Sequence, residues 1–159
     1  MNDSPKVTMT DGSPVYEGHK ELRPDGQQRG YIVLSEEERA KGFIRPVRNS
    51  YVHVGPPGPK FPLVDLPGHA PENEGYVKYE PYPSGHKGSS LGRYWTQSQL
   101  DRANKGCGVR TVMGQALAET YARSPYFYGG TFCVGCGTHF PVGPDGEFIW
   151  DGTTERVGT

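Results

Sequence analysis

Residues 129–140 have the sequence Gly-Gly-Thr-Phe-Cys-Val-Gly-Cys-Gly-Thr-His-Phe. Cys133 and Cys136 are separated by Val134 and Gly135, and Gly137 follows directly. Because glycine lacks a Cβ, it permits tight turns, and a tight turn can direct both thiolates toward one ion, as in a zinc knuckle. The stretch therefore predicts a metal site at the corner of a β-hairpin. The alternative is a pair of ordinary buried thiols, since free cysteine is often buried.

The remaining ligands must come from elsewhere in the chain. Cys107 is the only other cysteine and is predicted as the third ligand. Two histidines compete for the fourth position. A strand that leaves the turn alternates its faces, so His139 tends to point away from Cys136. His53 would pair with Cys107 and join the two halves of the chain, so we favour His53 and keep His139 as the alternative.

A set of one histidine and three cysteines favours a particular metal. Imidazole nitrogen and thiolate sulfur are the usual ligands of structural Zn²⁺, and four of them close a tetrahedral shell to water. The predicted cofactor is therefore Zn²⁺, held by the four residues His53, Cys107, Cys133 and Cys136. The predicted role of the ion is structural and not catalytic.

The composition indicates a small core. Only 33% of the 159 residues are hydrophobic, whereas Gly contributes 23 and Pro 15, which favours long irregular segments. Ten tyrosines argue against simple disorder, because disordered chains are poor in aromatic residues. A core of this kind needs support from a metal, an oligomer or a partner surface.

Charge and cysteine content exclude several classes of protein. A net charge of -1 provides no global field that would attract nucleic acid. Three cysteines are too few for a secreted disulfide framework, and no apolar run approaches the roughly 20 residues that span a bilayer. We therefore expect a soluble protein made in a reducing cytoplasm, with no membrane partner.

Local patterns predict the main elements. Residues 31–34 form an apolar run typical of a strand. Ser35 and Thr96 each begin a capping-box pattern that predicts a short helix. The longest helix is predicted to begin at Thr111, because apolar residues recur every four positions, and to end before Pro125. Residues 126–150 are predicted to form a β-hairpin or small meander.

Together these elements predict an α+β fold with a small zinc-stabilised core of a helix and a β-hairpin or meander, carrying long irregular Gly/Pro-rich arms and loops. The predicted organisation is an extended N-terminal arm at 1–30, the core at 31–54 and 107–150, a Gly/Pro/Tyr-rich insertion at 55–106, and a free C-terminal tail at 151–159.

Several segments resemble one group of proteins. They are Ser-Tyr-Val-His-Val at 50–54, Cys-Gly-Val-Arg-Thr-Val-Met-Gly at 107–114, Glu-Thr-Tyr-Ala-Arg at 119–123, Phe-Tyr-Gly-Gly-Thr-Phe-Cys-Val-Gly-Cys at 127–136, His-Phe-Pro-Val at 139–142 and Phe-Ile-Trp at 148–150. This pattern resembles small uncharacterised proteins encoded in tailed-phage genomes. The resemblance implies a phage origin and a metal site at His53, Cys107, Cys133 and Cys136. In that group a similar first segment leads more directly into the first cysteine, so the 55–106 insertion is a departure.

Enzyme classes fit the sequence poorly. His19-Lys20-Glu21 together with the Cys133–Cys136 pair superficially imitates the zinc deaminase signature. However, the two parts lie far apart in the chain, and Phe132 stands where that signature has proline. Metal-bound thiolates are not free nucleophiles either. The chain is therefore predicted not to be an enzyme.

The predicted function is that of a zinc-binding phage structural or accessory protein, located in the virion and made in the host cytoplasm. Its expected partners are other protein subunits, which it binds through its extended arms in a homo- or hetero-oligomeric assembly. In the sharpest form these partners are capsid proteins that it decorates or stabilises. The alternative is a zinc-ribbon-like adaptor that binds nucleic acid or a host protein during infection. Its candidate basic cluster consists of Arg39, Lys41, Arg45 and Arg48, although acidic residues 36–38 adjoin it.

Overall fold

A computed structural model describes residues 5–83 and 91–159. Their elements, in chain order, are β1 (Val7–Met9), β2 (Ile32–Leu34), α1 (Glu36–Arg39), β3 (Ser50–His53), β4 (Tyr76–Pro81), β5 (Gly92–Thr96), α2 (Gln97–Arg102), β6 (Arg110–Val112), α3 (Gln115–Arg123), β7 (Gly130–Cys133), β8 (Thr138–Pro141) and β9 (Phe148–Trp150). Few helices and several small antiparallel sheets make this a mixed α+β fold. Within the described ranges, no helix has the length and apolar character needed to cross a membrane.

The chain divides into two compact units. The first contains the chain up to Val54 and from Cys107 onward, and the second contains Gly55–Gly106. The second unit thus spans the same residues as the predicted insertion.

The first unit is built on three small sheets. Strands β1 and β2 pair, β7 and β8 form a hairpin, and β3 lies between β6 and β9 in a three-stranded sheet. Tyr51, at the centre of β3, lies opposite Thr111 on one side and Trp150 on the other. This register places β3, from the N-terminal half of the chain, between two strands from the C-terminal half.

Aromatic side chains form the core of the first unit. The ring of Tyr51 meets Phe148 edge to face at 5.1 Å between centroids, and the ring of Tyr121 meets Trp150 in the same way at 5.5 Å. The hydroxyl of Tyr51 donates to the carbonyl of Phe132. The buried core residues are Tyr51, Met113, Ala118, Tyr121, Cys133, Phe148, Trp150 and Val157.

The longest helix begins later than predicted. Thr111 is not its N-cap but a buried residue of β6, and the helix starts after Gly114. The hydroxyl of Thr111 accepts a hydrogen bond from the N–H of Val134, so it supports the cysteine turn and does not cap the helix. The predicted end before Pro125 is confirmed, since α3 ends at Arg123.

The predicted meander is correct for its first two strands only. Strands β7 and β8 pair as a hairpin, but β9 pairs with β3 and not with β8. Burial explains the difference, because pairing with β3 places Phe148 and Trp150 in the core, where they are 0% and 2% exposed.

The free tail predicted at 151–159 is wrong. Val157 is fully buried in the core, and its N–H donates to the carbonyl of Phe148. Nor is the N-terminal segment a free arm in its described part. Its strand β1 pairs with β2, Met9 is buried, and Gly26 packs so closely on the Gly137 carbonyl that a Cβ would lie 2.0 Å from that oxygen. A small core recruits apolar residues from both segments.

The second unit has a hairpin of its own. Strand β4 pairs with β5, and α2 begins with the predicted capping box between Thr96 and Gln99. Trp95 is the one buried hydrophobic residue among those described in this unit. Beside it lies the buried carboxylate of Glu80, which accepts hydrogen bonds from the N–H groups of Lys60 (2.6 Å) and Phe61 (2.9 Å) and from the Trp95 indole (3.0 Å).

Candidate metal centre

Four predicted ligands come together in the first unit. His53 ends β3, Cys107 precedes β6, Cys133 ends β7, and Cys136 lies in the turn between β7 and β8. One ligand atom from each residue lies within 4.8 Å of all the others. This cluster could hold a metal ion.

Distances within the cluster are short. The sulfurs of Cys107 and Cys133 are 3.4 Å apart, and His53 Nδ1 lies 3.7 Å from the Cys133 sulfur and 3.5 Å from the Cys136 sulfur. All three cysteines are free thiols. His53 and Cys133 are buried whereas Cys107 and Cys136 are exposed, so the cluster lies at the edge of the core.

Backbone hydrogen bonds hold His53 and Cys107 side by side although they are far apart in sequence. The N–H of Gly108 donates to the His53 carbonyl at 2.9 Å, and the N–H of His53 donates to the carbonyl of Val109 at 3.3 Å. The N–H of Cys107 points at His53 Nδ1 at 3.3 Å. The β3 ladder therefore continues past β6 and delivers both ligands to the same place.

The glycines of the cysteine turn have two different roles. Gly137 has φ +68°, a left-handed conformation that favours glycine, and its N–H closes the turn on the Cys133 carbonyl at 2.8 Å. Gly135 has no positive φ, but a Cβ there would lie 2.7 Å from the Cβ of Val109 and 2.9 Å from the Cys107 sulfur. Gly135 is needed for space, which lets Cys107 approach the turn.

Glu147 orients the imidazole and is absent from the sequence-based prediction. Its carboxylate lies 2.8 Å from His53 Nε2, and Glu147 is only 8% exposed. A carboxylate at Nε2 favours a proton on that nitrogen, which leaves the lone pair of Nδ1 facing the thiols. The ring of Phe140 stacks on the imidazole at 4.4 Å. The contact with Glu147 thus sets the in-plane orientation of the imidazole, and the Phe140 ring covers one of its faces.

Glu147 can be identified only from the pairing of two strands that are distant in sequence. Glu147 directly precedes β9, in which Phe148 lies opposite His53, and its carbonyl accepts from the N–H of Val54. Knowledge of the β3–β9 register would have identified it. The sequence alone shows only an acidic residue after a Gly-Pro-Asp-Gly turn.

His139 lies elsewhere. Its Nε2 is 2.8 Å from the hydroxyl of Tyr31, and its ring meets Phe132 edge to face at 5.3 Å. Burial lowers its pKa. His139 is not part of the four-residue cluster, as the alternation of the strand after Cys136 had indicated.

The thiols differ in acidity. Burial alone would raise the pKa of Cys107, but hydrogen bonding, above all from the Val109 N–H, lowers it to about 7. Burial and the two neighbouring thiols raise the pKa of Cys136 to about 12, and burial raises the pKa of Cys133. One thiolate therefore forms readily while further negative charge is penalised. A divalent cation would remove that penalty, since it favours deprotonated ligands.

The basic cluster considered for nucleic acid is engaged within the protein. Arg39 pairs with Glu119 at 2.6 Å, and Lys41 pairs with Glu38 at 2.7 Å. Arg48 pairs with Glu155. Arg45 donates to backbone carbonyls at Ile44 and Thr159.

The deaminase-like residues of the N-terminal segment are not part of the metal cluster either. Glu21 forms an exposed ion pair with Arg29 at 3.0 Å. Neither His19 nor Glu21 belongs to the four-residue group.

No family model, curated protein or solved structure matches this chain. The interpretation of the site therefore rests on its own geometry and chemistry.

Proposed function

We propose that the cluster of His53, Cys107, Cys133 and Cys136 binds one Zn²⁺ that stabilises the first unit, and that the chain is a non-enzymatic structural protein. The observation that carries this proposal is the convergence of four ligand atoms within 4.8 Å. Three sulfurs and one imidazole are a typical ligand set of structural zinc. The buried Glu147 behind the histidine matches the carboxylate–histidine arrangement that commonly supports metal ligands.

Four protein ligands fill a tetrahedral shell. A catalytic zinc ion keeps one position for water or substrate, whereas this set offers four protein atoms. The proposed ion therefore acts on folding. Structural zinc contributes roughly 10–16 kcal/mol in small zinc-finger peptides, which is comparable to the whole stability of a typical domain, about 5–15 kcal/mol.

The ion would compensate for the small core. It would join the end of β3, the segment before β6 and the β7–β8 hairpin, which are separated in sequence. These segments otherwise meet through a few aromatic contacts and short sheets. A metal at their junction would fix all three at once.

The proposed role of the folded protein is association with other protein subunits in a phage particle. The phage assignment is supported by the sequence resemblance described above. A protein partner is supported by exposed apolar residues in the cysteine turn and in the segment around β6: Val134 and Val112 are each 56% exposed and Val109 is 40% exposed. Such side chains suit a protein surface better than a phosphate backbone.

Metal content tests the first part of the proposal. Native mass spectrometry of the wild type, His53→Ala and His139→Ala should show one zinc per chain in the wild type and in His139→Ala, and none in His53→Ala. His139→Ala is the matched control, because it removes a histidine outside the cluster. Wild type prepared without chelator and found free of metal would contradict the proposal.

Particle composition tests the second part. If the chain is a virion component, it should co-purify with particles at a fixed ratio to the major capsid protein and stay bound in high salt. Absence from purified particles, with binding to DNA that weakens steeply as salt rises, would instead support the adaptor alternative.

A further inference from the structure

One exposed and one buried thiol of the metal cluster lie close together. The sulfurs of Cys107 and Cys133 are 3.4 Å apart, and neither residue is in a disulfide. Cys107 is exposed, so a small molecule in solution can reach its sulfur, whereas Cys133 is fully buried. Since a disulfide bond is about 2.05 Å long, a relative shift of roughly 1.4 Å would bring the two sulfurs to bonding distance.

Cys107 has more freedom to make this shift than Cys133 has. It lies outside the strands and helices, between Gly106 and Gly108, and glycine has a wide range of backbone conformations. Cys133 ends β7 inside the core, and its carbonyl accepts a hydrogen bond from the N–H of Gly137 at 2.8 Å. The exposed thiol therefore approaches a buried thiol whose position the hairpin fixes.

We propose that hydrogen peroxide oxidises Cys107, that Cys133 then forms a disulfide with it, and that this bond releases the metal. The inference rests on the proposed function, because it concerns the regulation of the same zinc site. The disulfide removes two of the four ligands and leaves only His53 and Cys136. Structural zinc takes four protein ligands, so the remaining pair does not retain the ion. Reduction of the disulfide restores the full ligand set.

The reaction takes place in two steps. Cys107 first leaves the metal, because a metal-bound thiolate is not a free nucleophile. Its thiolate attacks one oxygen of the peroxide, the O–O bond breaks, and a sulfenic acid and a hydroxide ion form. The Cys133 thiolate then attacks the Cys107 sulfur, the S–O bond breaks, and a second hydroxide leaves. The two sulfurs have given two electrons to the peroxide, and both hydroxides take up protons to become water.

The competing product is a disulfide within the cysteine turn, between Cys133 and Cys136. Trypsin, which cleaves after lysine and arginine, distinguishes the two products. It places Cys107 on the peptide 106–110 and both other cysteines on the peptide 124–156. A bond to Cys107 therefore links two peptides, whereas a bond within the turn leaves them separate.

The experiment treats the zinc-loaded full chain with hydrogen peroxide, alkylates the remaining thiols and analyses the tryptic peptides by mass spectrometry. A chromophoric chelator follows the released zinc, with an untreated sample as reference. The two peptides should be linked through Cys133, Cys136 should be alkylated, and about one zinc should be released for each disulfide formed. Cys136→Ser, which removes the competing thiol, should give the same link. Cys107→Ser is the matched control and should give no linked peptides.

Three results on the wild type would overturn this inference while the proposed zinc site stands. Peroxide forms no disulfide, it forms only the bond within the turn, or the zinc stays bound after Cys107 and Cys133 are linked. Treatment with dithiothreitol and added zinc should restore one zinc per chain, and failure to restore it would contradict the reversible release. Wild type that holds no zinc before treatment contradicts the proposed function itself, and this inference fails with it.

Discussion

The two units organise a sparse core in different ways. The first unit buries a group of aromatic side chains and places four metal-binding groups at the edge of that core. The second unit buries one tryptophan, Trp95, among its described hydrophobic residues and surrounds the Glu80 carboxylate with three N–H donors. Each unit thus holds its segments together with polar groups where little apolar surface is buried. We call the four-residue cluster the first anchor and the Glu80 carboxylate with its three donors the second anchor. However, the second anchor is made entirely by the chain, whereas the proposed first anchor requires an ion from solution.

Removal of zinc by a chelator should produce the largest difference in stability between the two units. Each unit contains one tryptophan, Trp150 in the first and Trp95 in the second, so the variants Trp95→Phe and Trp150→Phe report on one unit each. Removing zinc should unfold the first unit, since the loss is on the order of 10 kcal/mol, and should leave the fluorescence of Trp95 unchanged. If both tryptophans respond together, the units are one cooperative body. If neither responds, the ion does not stabilise the fold.

Glu80→Ala should destabilise the second unit and leave the first unit unchanged. It leaves three N–H donors without their acceptor, and the Trp95 indole among them is buried, so the second unit should be destabilised by about 3 kcal/mol. Chemical denaturation followed through Trp95 measures this, while zinc content should remain one per chain. Glu72→Ala is the matched control, because Glu72 is an exposed carboxylate of the same unit. Loss of zinc in Glu80→Ala would show that the anchors are not independent.

Alkaline pH should weaken the first unit through its buried tyrosines. Burial raises the pKa of Tyr51 to about 12 and raises that of Tyr121 further. Since tyrosine in the unfolded chain ionises near 10, the stability from Tyr51 is fully present below about pH 10 and falls as pH rises to about 12, by roughly 2–3 kcal/mol. Urea unfolding followed through Trp150 between pH 8 and 12 should show this decline. Tyr51→Phe should reduce the slope, and an unchanged slope would contradict the assignment.

Gly135→Ala should weaken the metal site through crowding alone. The added Cβ would meet Val109 and the Cys107 sulfur below 3 Å, and overpacking of this kind costs about 1–3 kcal/mol. Zinc affinity, measured by competition with a chromophoric chelator, should fall about 10- to 100-fold. Gly129→Ala is the control, since its Cβ would meet nothing within 4 Å. Equal effects in the two variants would show that space is not the reason for Gly135.

Glu147→Gln should have the smallest effect. The amide keeps a hydrogen-bonding group at His53 Nε2 but loses the charge that makes the imidazole a stronger ligand, so zinc affinity should fall about 10-fold. The same competition assay measures it. Glu155→Gln, at a carboxylate outside the cluster, should leave zinc affinity unchanged. An unaltered affinity in Glu147→Gln would mean that Glu147 only packs against the histidine.

Local sequence signals predicted local structure well. Ser35 and Thr96 cap short helices as their spacing indicated, and the cysteine turn lies at the corner of a β-hairpin. The strand alternation after Cys136 correctly indicated that His139 points away from the thiols. These features depend on neighbours in sequence, which a single chain displays directly.

The errors involve partners distant in sequence. Thr111 has a plausible capping position, but pairing of β6 with β3 outweighs it. Glu147 and Val157 depend on β9 lying beside β3, a register that no local pattern specifies. Sheet pairing is decided by which side chains are buried together, and this information is spread over the whole chain.

In the sequence His53 lies two residues before the second unit and Cys107 directly follows it, and a hydrogen bond of 2.9 Å from the Gly108 N–H to the His53 carbonyl joins the two segments there. The chain therefore leaves the first unit and re-enters it at one place, beside two of the predicted metal ligands. The entropy of closing a loop grows slowly with its length, about 0.6 kcal/mol for each doubling. An insert of very different length at this point would therefore change the cost of closing the loop only slightly, while the Gly108 hydrogen bond keeps His53 and Cys107 together.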